Sequence, residues 1–480
     1  MRNGSVPLFV SLALGLLALP LRAVEPVKPN VVVFLADDLG FMDIGANNPE
    51  TFYETPHIDR LACRGMRFTD AHSTCPVCSP TRASLMCGKY PPRTGVTDYI
   101  PGSRTRGGKL LAAPNRDHMA LEEVTIAERL RATGFTTFFA GKWHLGDNAF
   151  SPNGQGFGPG LLTGRLGTFY YPPTDRPAPD PAVDPHATDR IADAAVEFID
   201  RNRDRAFFAY VPFLDVHTPL QAPADLGAKY ERKRSQAPPD RWGQERERKV
   251  RLVQNHAVYA AMVEQMDRAV GRVLSALDRT GLTDRTIVIF TSDNGGLSTS
   301  EGHPTSNLPF RAGKGWPYEG GIRVPLIATV PGVTRPGSVC HTPVISTDLY
   351  PTILELTGQP LAPQKHRDGV SMVPLLRGGA LGPRLLFWHY PHYGNQGGAP
   401  CGVVRDGDWK LIEWFEDQRR ELFNLSSDPG EKHDLAAANP GQVSALGARL
   451  LAWRADVHAV MPTKNPAWTA NAQTTNRVAR

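Results

Sequence analysis

The sequence predicts an α/β fold in which a large, mixed, mostly parallel central sheet is followed by a smaller α+β unit with an antiparallel sheet. Three observations carry that prediction. Short apolar, β-branched runs alternate with helical patterns as far as about residue 360, as in a sheet covered by helices on both faces. Four of those runs end in polar residues able to do chemistry. Beyond Leu361 the alternation gives way to short strands separated by turns, the texture of an antiparallel meander.

The predicted strands of the large unit are Asn30–Asp38 (NVVVFLADD), Phe135–His144, Phe207–His217, Thr286–Gly295 and Val324–Gly332, each apolar enough to be buried on both faces. Between them the spacing predicts a helix over Thr125–Ala132, opened by a Thr125/Glu128 capping box and stopped near Gly134. Further helices are expected over Ala187–Asn202 and Val253–Arg279. Tyr230–Arg251 is densely charged and contains a Pro pair, which reads as a solvated insertion leading into a helix. After Leu361 come four short strands, RLLFWHYP, CGVVRDG, DWKLIEWF and ELFNL, and a helix near Gly441–Val457.

The first residues, MRNGSVPLFVSLALGLLALPLRA, combine an early Arg2, an apolar run from Val6 to Leu19 and a small residue at Ala23. This is the pattern of a secretory signal over residues 1–23, and the run is shorter than the ~20 residues a spanning helix needs. Export to the periplasm or the medium is therefore expected. The chain has 53 basic and 48 acidic residues, a formal net charge of +5, which points to no nucleic-acid partner. Six cysteines, at 63, 75, 78, 87, 340 and 401, are too few for a disulfide-built fold. The glycine-rich GQGFGPG lacks the GxGxxG spacing of a dinucleotide site.

The polar residues at the strand ends are Asp37 and Asp38, Lys142 with His144, His217, and Asp293 with Asn294. In open α/β sheets ligands bind just outside the carboxyl ends of the strands, so one convergent site is expected. Asp37, Asp38, Asp293 and Asn294 offer hard oxygen ligands suited to Ca²⁺ or Mg²⁺ rather than zinc. Lys142, His144, His217 and Lys314, the last between Gly313 and Gly315, add cations and titratable bases. Asp-Asp-Leu-Gly and Asp-Asn-Gly are also ordinary turn sequences, and each motif alone is compatible with a surface loop.

Taken together these residues resemble the sulfatase family of the alkaline-phosphatase-like superfamily. CSPTR, Cys78 to Arg82, fits that family's CxPxR signature, and ADDLG, GKWHLG, HTP, DNGG and GKG follow in the family's order. Thr81 stands where Ser or Ala is commoner, and Cys87 where Thr is commoner. The resemblance implies an alkaline-phosphatase-like sandwich for the catalytic unit, residues 24–360, while the change of texture sets residues 361–480 apart as a C-terminal subdomain. It implies that a maturation enzyme oxidises Cys78 to formylglycine before folding and export. It implies Asp37, Asp38, Asp293 and Asn294 as metal ligands, with the residue at position 78 also contacting the metal. Arg82, Lys142, His144, His217 and Lys314 would line a sulfate pocket.

The expected reaction is hydrolysis of a sulfuric ester. Its peripheral oxygens carry negative charge that repels nucleophiles, and a metal with several cations would neutralise it. Phosphate or phosphonate monoester hydrolysis, and silent binding of sulfated glycans, are the competing readings. A sulfated saccharide of galactose or N-acetylgalactosamine type is the expected substrate, with His303, His389 and His392 as candidate contacts to the sugar.

Overall fold

The structure, a computed structural model, describes residues 28–102, 108–162 and 185–468, and residues 1, 4 and 169 singly. The signal segment expected over 1–23 lies outside the described residues apart from residues 1 and 4. No helix among the described residues is long and apolar enough to cross a membrane.

The central sheet has eight strands. Its middle is formed by Thr286–Ser292, Asn30–Ala36, Phe207–Pro212 and Thr136–Gly141, side by side and all parallel. Leu326–Thr329 then runs antiparallel against Thr286–Ser292, followed by Met66–Phe68 and Ser338–Cys340, while the two-residue Leu161–Leu162 closes the other edge. The expected strand at Val324–Gly332 thus exists, shortened and reversed in direction.

Each strand feeds two cores because its side chains alternate in direction. In Asn30–Ala36, Val32, Phe34 and Ala36 face one apolar layer, and Val31, Val33 and Leu35 face the other. The first layer is covered by the helices Pro56–Arg64, Ala187–Arg201 and Ala257–Arg279, the second by Cys78–Cys87, Ile126–Ala132 and Leu349–Leu356. Thr125 and Glu128 form the expected capping box. The long helix starts later than its apolar period suggests, at Ala257, because His256 Nδ1 caps it by accepting from Tyr259 N.

The C-terminal sheet is antiparallel, with strands Leu385–Tyr390, Cys401–Asp406, Trp409–Trp414 and Arg420–Asn424 in that order, and the helix Pro440–Asp456 lies against it. Its apolar cluster also takes in Cys75, Val77, Trp316 and Tyr318. A buried ionic network crosses the same junction. Lys410 Nζ lies 2.9 Å from Glu319 Oε1 and 2.8 Å from Glu431 Oε1, and Arg405 grips both oxygens of Asp70.

The charged segment Tyr230–Arg251 is largely exposed, as expected, but it does not open a helix. It comprises the end of the Ala224–Arg234 helix and a hairpin, Trp242–Glu245 with Arg248–Arg251. Three of its charges have partners all the same: Glu245 pairs with Arg311 at 2.8 Å, Arg251 with Asp240 at 3.0 Å, and the Arg246 guanidinium lies 3.7 Å from the Trp414 ring centre. Composition alone does not distinguish charges with partners from charges in water.

Lys410 is the cation between two fully buried glutamates. Substituting Lys410→Met is expected to lower unfolding free energy by about 3–5 kcal/mol, because it leaves buried charge uncompensated. Urea denaturation checks this, and a loss below about 1 kcal/mol would show that the junction does not depend on the pair.

Candidate active site

Four adjacent parallel strands deliver their next residues to one place. Backbone bonds continue past the strands and fix the turns: Asp293 N donates to Ala36 O, Asp37 N to Asp215 O, and Lys142 N to Pro212 O. Gly141 permits the last approach, since a Cβ there would fall 1.7 Å from Pro212 O. Asp38 and His144 turn the chain off the strands at φ 66° and 60°, a region uncommon for residues other than glycine.

The helix Cys78–Cys87 supplies the rest. Cys78 is its first residue, Arg82 lies one turn further on the same face, and Gly88 closes it in the left-handed conformation. Thr81 Oγ1 donates to Cys75 O at 3.2 Å, and buried Cys87 Sγ to Ala83 O at 3.0 Å. All six cysteines are free, so Cys75 and Cys78 are not a disulfide pair.

Each carboxylate in the site has one closest cation. Arg82 reaches Asp293 Oδ2 at 2.7 Å, Lys314 reaches Asp38 Oδ2 at 2.7 Å, and Lys142 is bonded to Asp37 Oδ2. Arg82 also lies 3.4 Å from Asp37 Oδ2 and donates to Lys142 O. Asn294 Nδ2 donates to Asp38 Oδ1 at 2.8 Å. Cys78 Sγ and one oxygen each of Asp37 and Asp293 lie within 4.8 Å of one another, as do oxygens of Asp37 and Asp38 and a ring nitrogen of His217.

The electrostatics follow from crowding. Burial works to raise the Asp37 carboxyl, but Lys142 and Arg82 hold it well below the usual carboxylate range. Burial and the neighbouring Asp37 push Asp293 up to about 7. Burial also pushes the Cys78 thiol up to about 11, so unmodified Cys78 is protonated at neutral pH. Burial, then Lys142 and Arg82, hold His144 neutral; burial, then Lys314 and Lys142, lower His217.

The two histidines have defined tautomers. His144 Nε2 lies 2.6 Å from Ile100 O, which can only accept, so Nε2 carries the proton and the buried Nδ1 has no partner. His217 Nδ1 donates likewise to Thr218 O at 2.5 Å, leaving Nε2 3.7 Å from Asp38 Oδ2.

Asp37 Oδ1 and Asn294 Oδ1 are buried without a hydrogen-bond partner, and such orphaned acceptors are rare unless something completes them. Together with Asp38 and Asp293 they form an oxygen set that suits a hard cation.

The family model described as Sulfatase matches residues 29–359. The chain belongs to the sulfatase family. A second model, described as the C-terminal part of N-sulphoglucosamine sulphohydrolase, matches residues 312–452. The chain is 34% identical to a sulfatase of Formosa agariphila, with 92% of each protein covered. It is 31% identical to N-acetylgalactosamine-6-sulfatase of Mus musculus, over 88% of this chain and 79% of that protein. The crystal structure of Ps i-CgsB in complex with k-i-k-neocarrahexaose superposes with a TM-score of 0.73 at 28% identity, covering 94% of this chain and 97% of that one. This sulfatase is accordingly a sulfate ester hydrolase of mixed α/β fold with a second, antiparallel sheet.

The three histidines expected to meet a sugar fare differently from the cluster. His389 is buried, its Nε2 bonded to Val460 O at 3.0 Å and its ring beside Phe415. His392 is buried against Thr97 Oγ1 at 2.9 Å. His303 is half-buried, edge-on to Trp242. None of them joins the carboxylates. At the mouth stand instead Glu301, Thr218 and Asn395. The motifs offered no signal for Glu301 beyond its place in the loop before Lys314.

Burial pushes His389 down to about 4 and His392 down to about 3. With an unfolded value near 6.5, the unfolded chain takes up these protons first as pH falls. The stability they contribute is thus complete above pH 6.5 and is lost as pH falls through the folded values. The urea midpoint of the unmodified chain is expected to drop between pH 6.5 and 4, and the drop is expected to shrink in His392→Gln. Identical pH profiles for the two proteins would contradict the burial of a neutral ring.

Proposed function

We propose that this sulfatase removes sulfate from a sulfated carbohydrate of galactose or N-acetylgalactosamine type, using a formylglycine made from Cys78 and a divalent cation, Ca²⁺ or Mg²⁺. The observation that carries the reading is the meeting of Cys78, at a helix N-terminus, with Asp37 and Asp293 inside a ring of three buried cations. The carbohydrate follows from the relatives: one is an N-acetylgalactosamine-6-sulfatase, and one was crystallised with neocarrahexaose.

Asp37, Asp38, Asp293, Asn294 and residue 78 would hold the cation. When bound, the cation draws charge from the sulfate oxygens and acidifies the attacking hydroxyl. Residue 78, converted to formylglycine and hydrated, would offer one oxygen to attack sulfur and a second hydroxyl for the later release of sulfate. Lys142, Lys314 and Arg82 neutralise peripheral sulfate oxygens from fixed positions, with little reorganisation during reaction. Asp293 would take the proton of the attacking hydroxyl, and His217, protonated from solvent at Nε2 and stabilised there by Asp38 Oδ2, would pass its proton to the departing alcohol. His144 Nδ1, kept as a free base by the Ile100 bond, takes the proton of the second hydroxyl.

Cys78 is only 2% exposed in the folded chain. A maturation enzyme would therefore reach it before folding, which accords with export after conversion through a signal at residues 1–23 to the periplasm or the medium.

Cys78→Ala is expected to reduce turnover of an aryl sulfate by at least about a thousandfold, with circular dichroism and thermal midpoint close to those of the parent. Full activity in that variant would refute the aldehyde mechanism.

A further inference from the structure

Glu301 stands on the loop between Asn294 and Lys314, at φ 52°, with an exposed carboxylate. Its donors are all neutral. Thr218 Oγ1 donates to Oε2 at 3.3 Å, Gln396 Nε2 donates to Oε1 at 3.3 Å, and Asn395 Nδ2 is bonded to Oε1. It makes no ion pair among the described residues.

These donors place it at the mouth of the cation cluster. Thr218 directly follows His217 and accepts its Nδ1 proton. Gln396 lies on Gly315, where a Cβ would fall 2.6 Å from Gln396 Oε1, and Gly315 directly follows Lys314. Of the hairpin cations, Lys249 and Arg251 lie against the Trp242 ring, at 3.8 Å and 4.7 Å from its centre, and Arg248 lies against Gly397 beside Gln396, with no ion pair to Glu301 among the described residues. Lys314 senses the carboxylate: burial lowers its pKa, but Asp38, with Glu301 among the further contributors, raises it.

A carboxylate beside an anion-binding pocket weakens anion binding by like-charge repulsion, a cost that a hydrogen bond accepted from the ligand offsets. A carboxylate accepts about four hydrogen bonds, and three are used here, so Oε2 retains a lone pair for a ligand hydroxyl. Donors from two separate segments hold it in place, so little ordering is needed when a ligand arrives. The same charge repels a second anion at that position.

We propose that Glu301, aimed by Thr218, Asn395 and Gln396, accepts a hydrogen bond from a sugar hydroxyl beside the sulfate ester and turns away substrates carrying a second anionic group there. The proposal deepens the carbohydrate reading and rests on it.

The test compares kcat/KM of the matured parent, Glu301→Gln and Glu301→Ala on four substrates: 4-methylumbelliferyl sulfate, and the 4-sulfate, 6-sulfate and 4,6-disulfate of N-acetylgalactosamine. The parent is expected to prefer a monosulfate. In both variants disulfate kcat/KM is expected to rise about tenfold through loss of the repulsion and monosulfate kcat/KM to fall about tenfold through loss of the hydroxyl contact, so that their ratio rises about a hundredfold. A ratio within twofold of the parent's, or a parent that prefers the disulfate, overturns the role of Glu301 alone. A parent that cleaves the aryl sulfate but neither monosulfate overturns the carbohydrate reading and this inference with it.

Discussion

Three buried carboxylates and three buried cations share the space beyond the ends of four parallel strands, and the rest of the molecule depends on keeping them there. Charges this deep cost several kcal/mol each to bury and persist only when paired. The pairing is one to one: Asp37 with Lys142, Asp38 with Lys314, Asp293 with Arg82. Balance of this kind leaves the site nearly neutral. A divalent ion and an anionic ester can then enter together, each supplying the charge the other requires.

The sheet supplies the rigidity. Neighbouring strands bond residue for residue up to Ala36 and Ser292, and backbone bonds carry the register on into Asp37 and Asp293. The second sheet closes one side. Trp388 Nε1 donates to Ser73 O, Tyr390 OH to Asp98, and the Asp70–Arg405 and Lys410 pairs hold its strands against the region around Glu319. Its 395–396 turn thereby meets Glu301 as a fixed wall of the mouth.

Much of this was legible from the chain because a doubly buried strand is written as a continuous apolar run, and the point where polarity resumes marks the sheet's working edge. Asp37, Lys142, His217 and Asp293 are found on that rule, with Cys78 and Arg82 added by their motif. The errors arose where polarity and burial part company. His389 looks solvent-facing among aromatic residues, yet its ring nitrogen finds the Val460 carbonyl inside the subdomain. Arg251 and Glu245 look like solvated charge, yet the His303 carbonyl and Arg311, distant in sequence, recruit them. Glu301 leaves no mark of this kind in the chain, because its surroundings come from Thr218, Asn395 and Gln396, distant residues that only folding brings near.

The claim beneath all of this is that the carboxylate cluster is built around a hard divalent ion. Elemental analysis of the matured protein, before and after dialysis against a chelator, tests it most directly. The account predicts about one Ca²⁺ or Mg²⁺ per chain, removed by chelation and retained poorly by Asp293→Asn. A fully active protein that carries no divalent ion, or zinc alone, would contradict it.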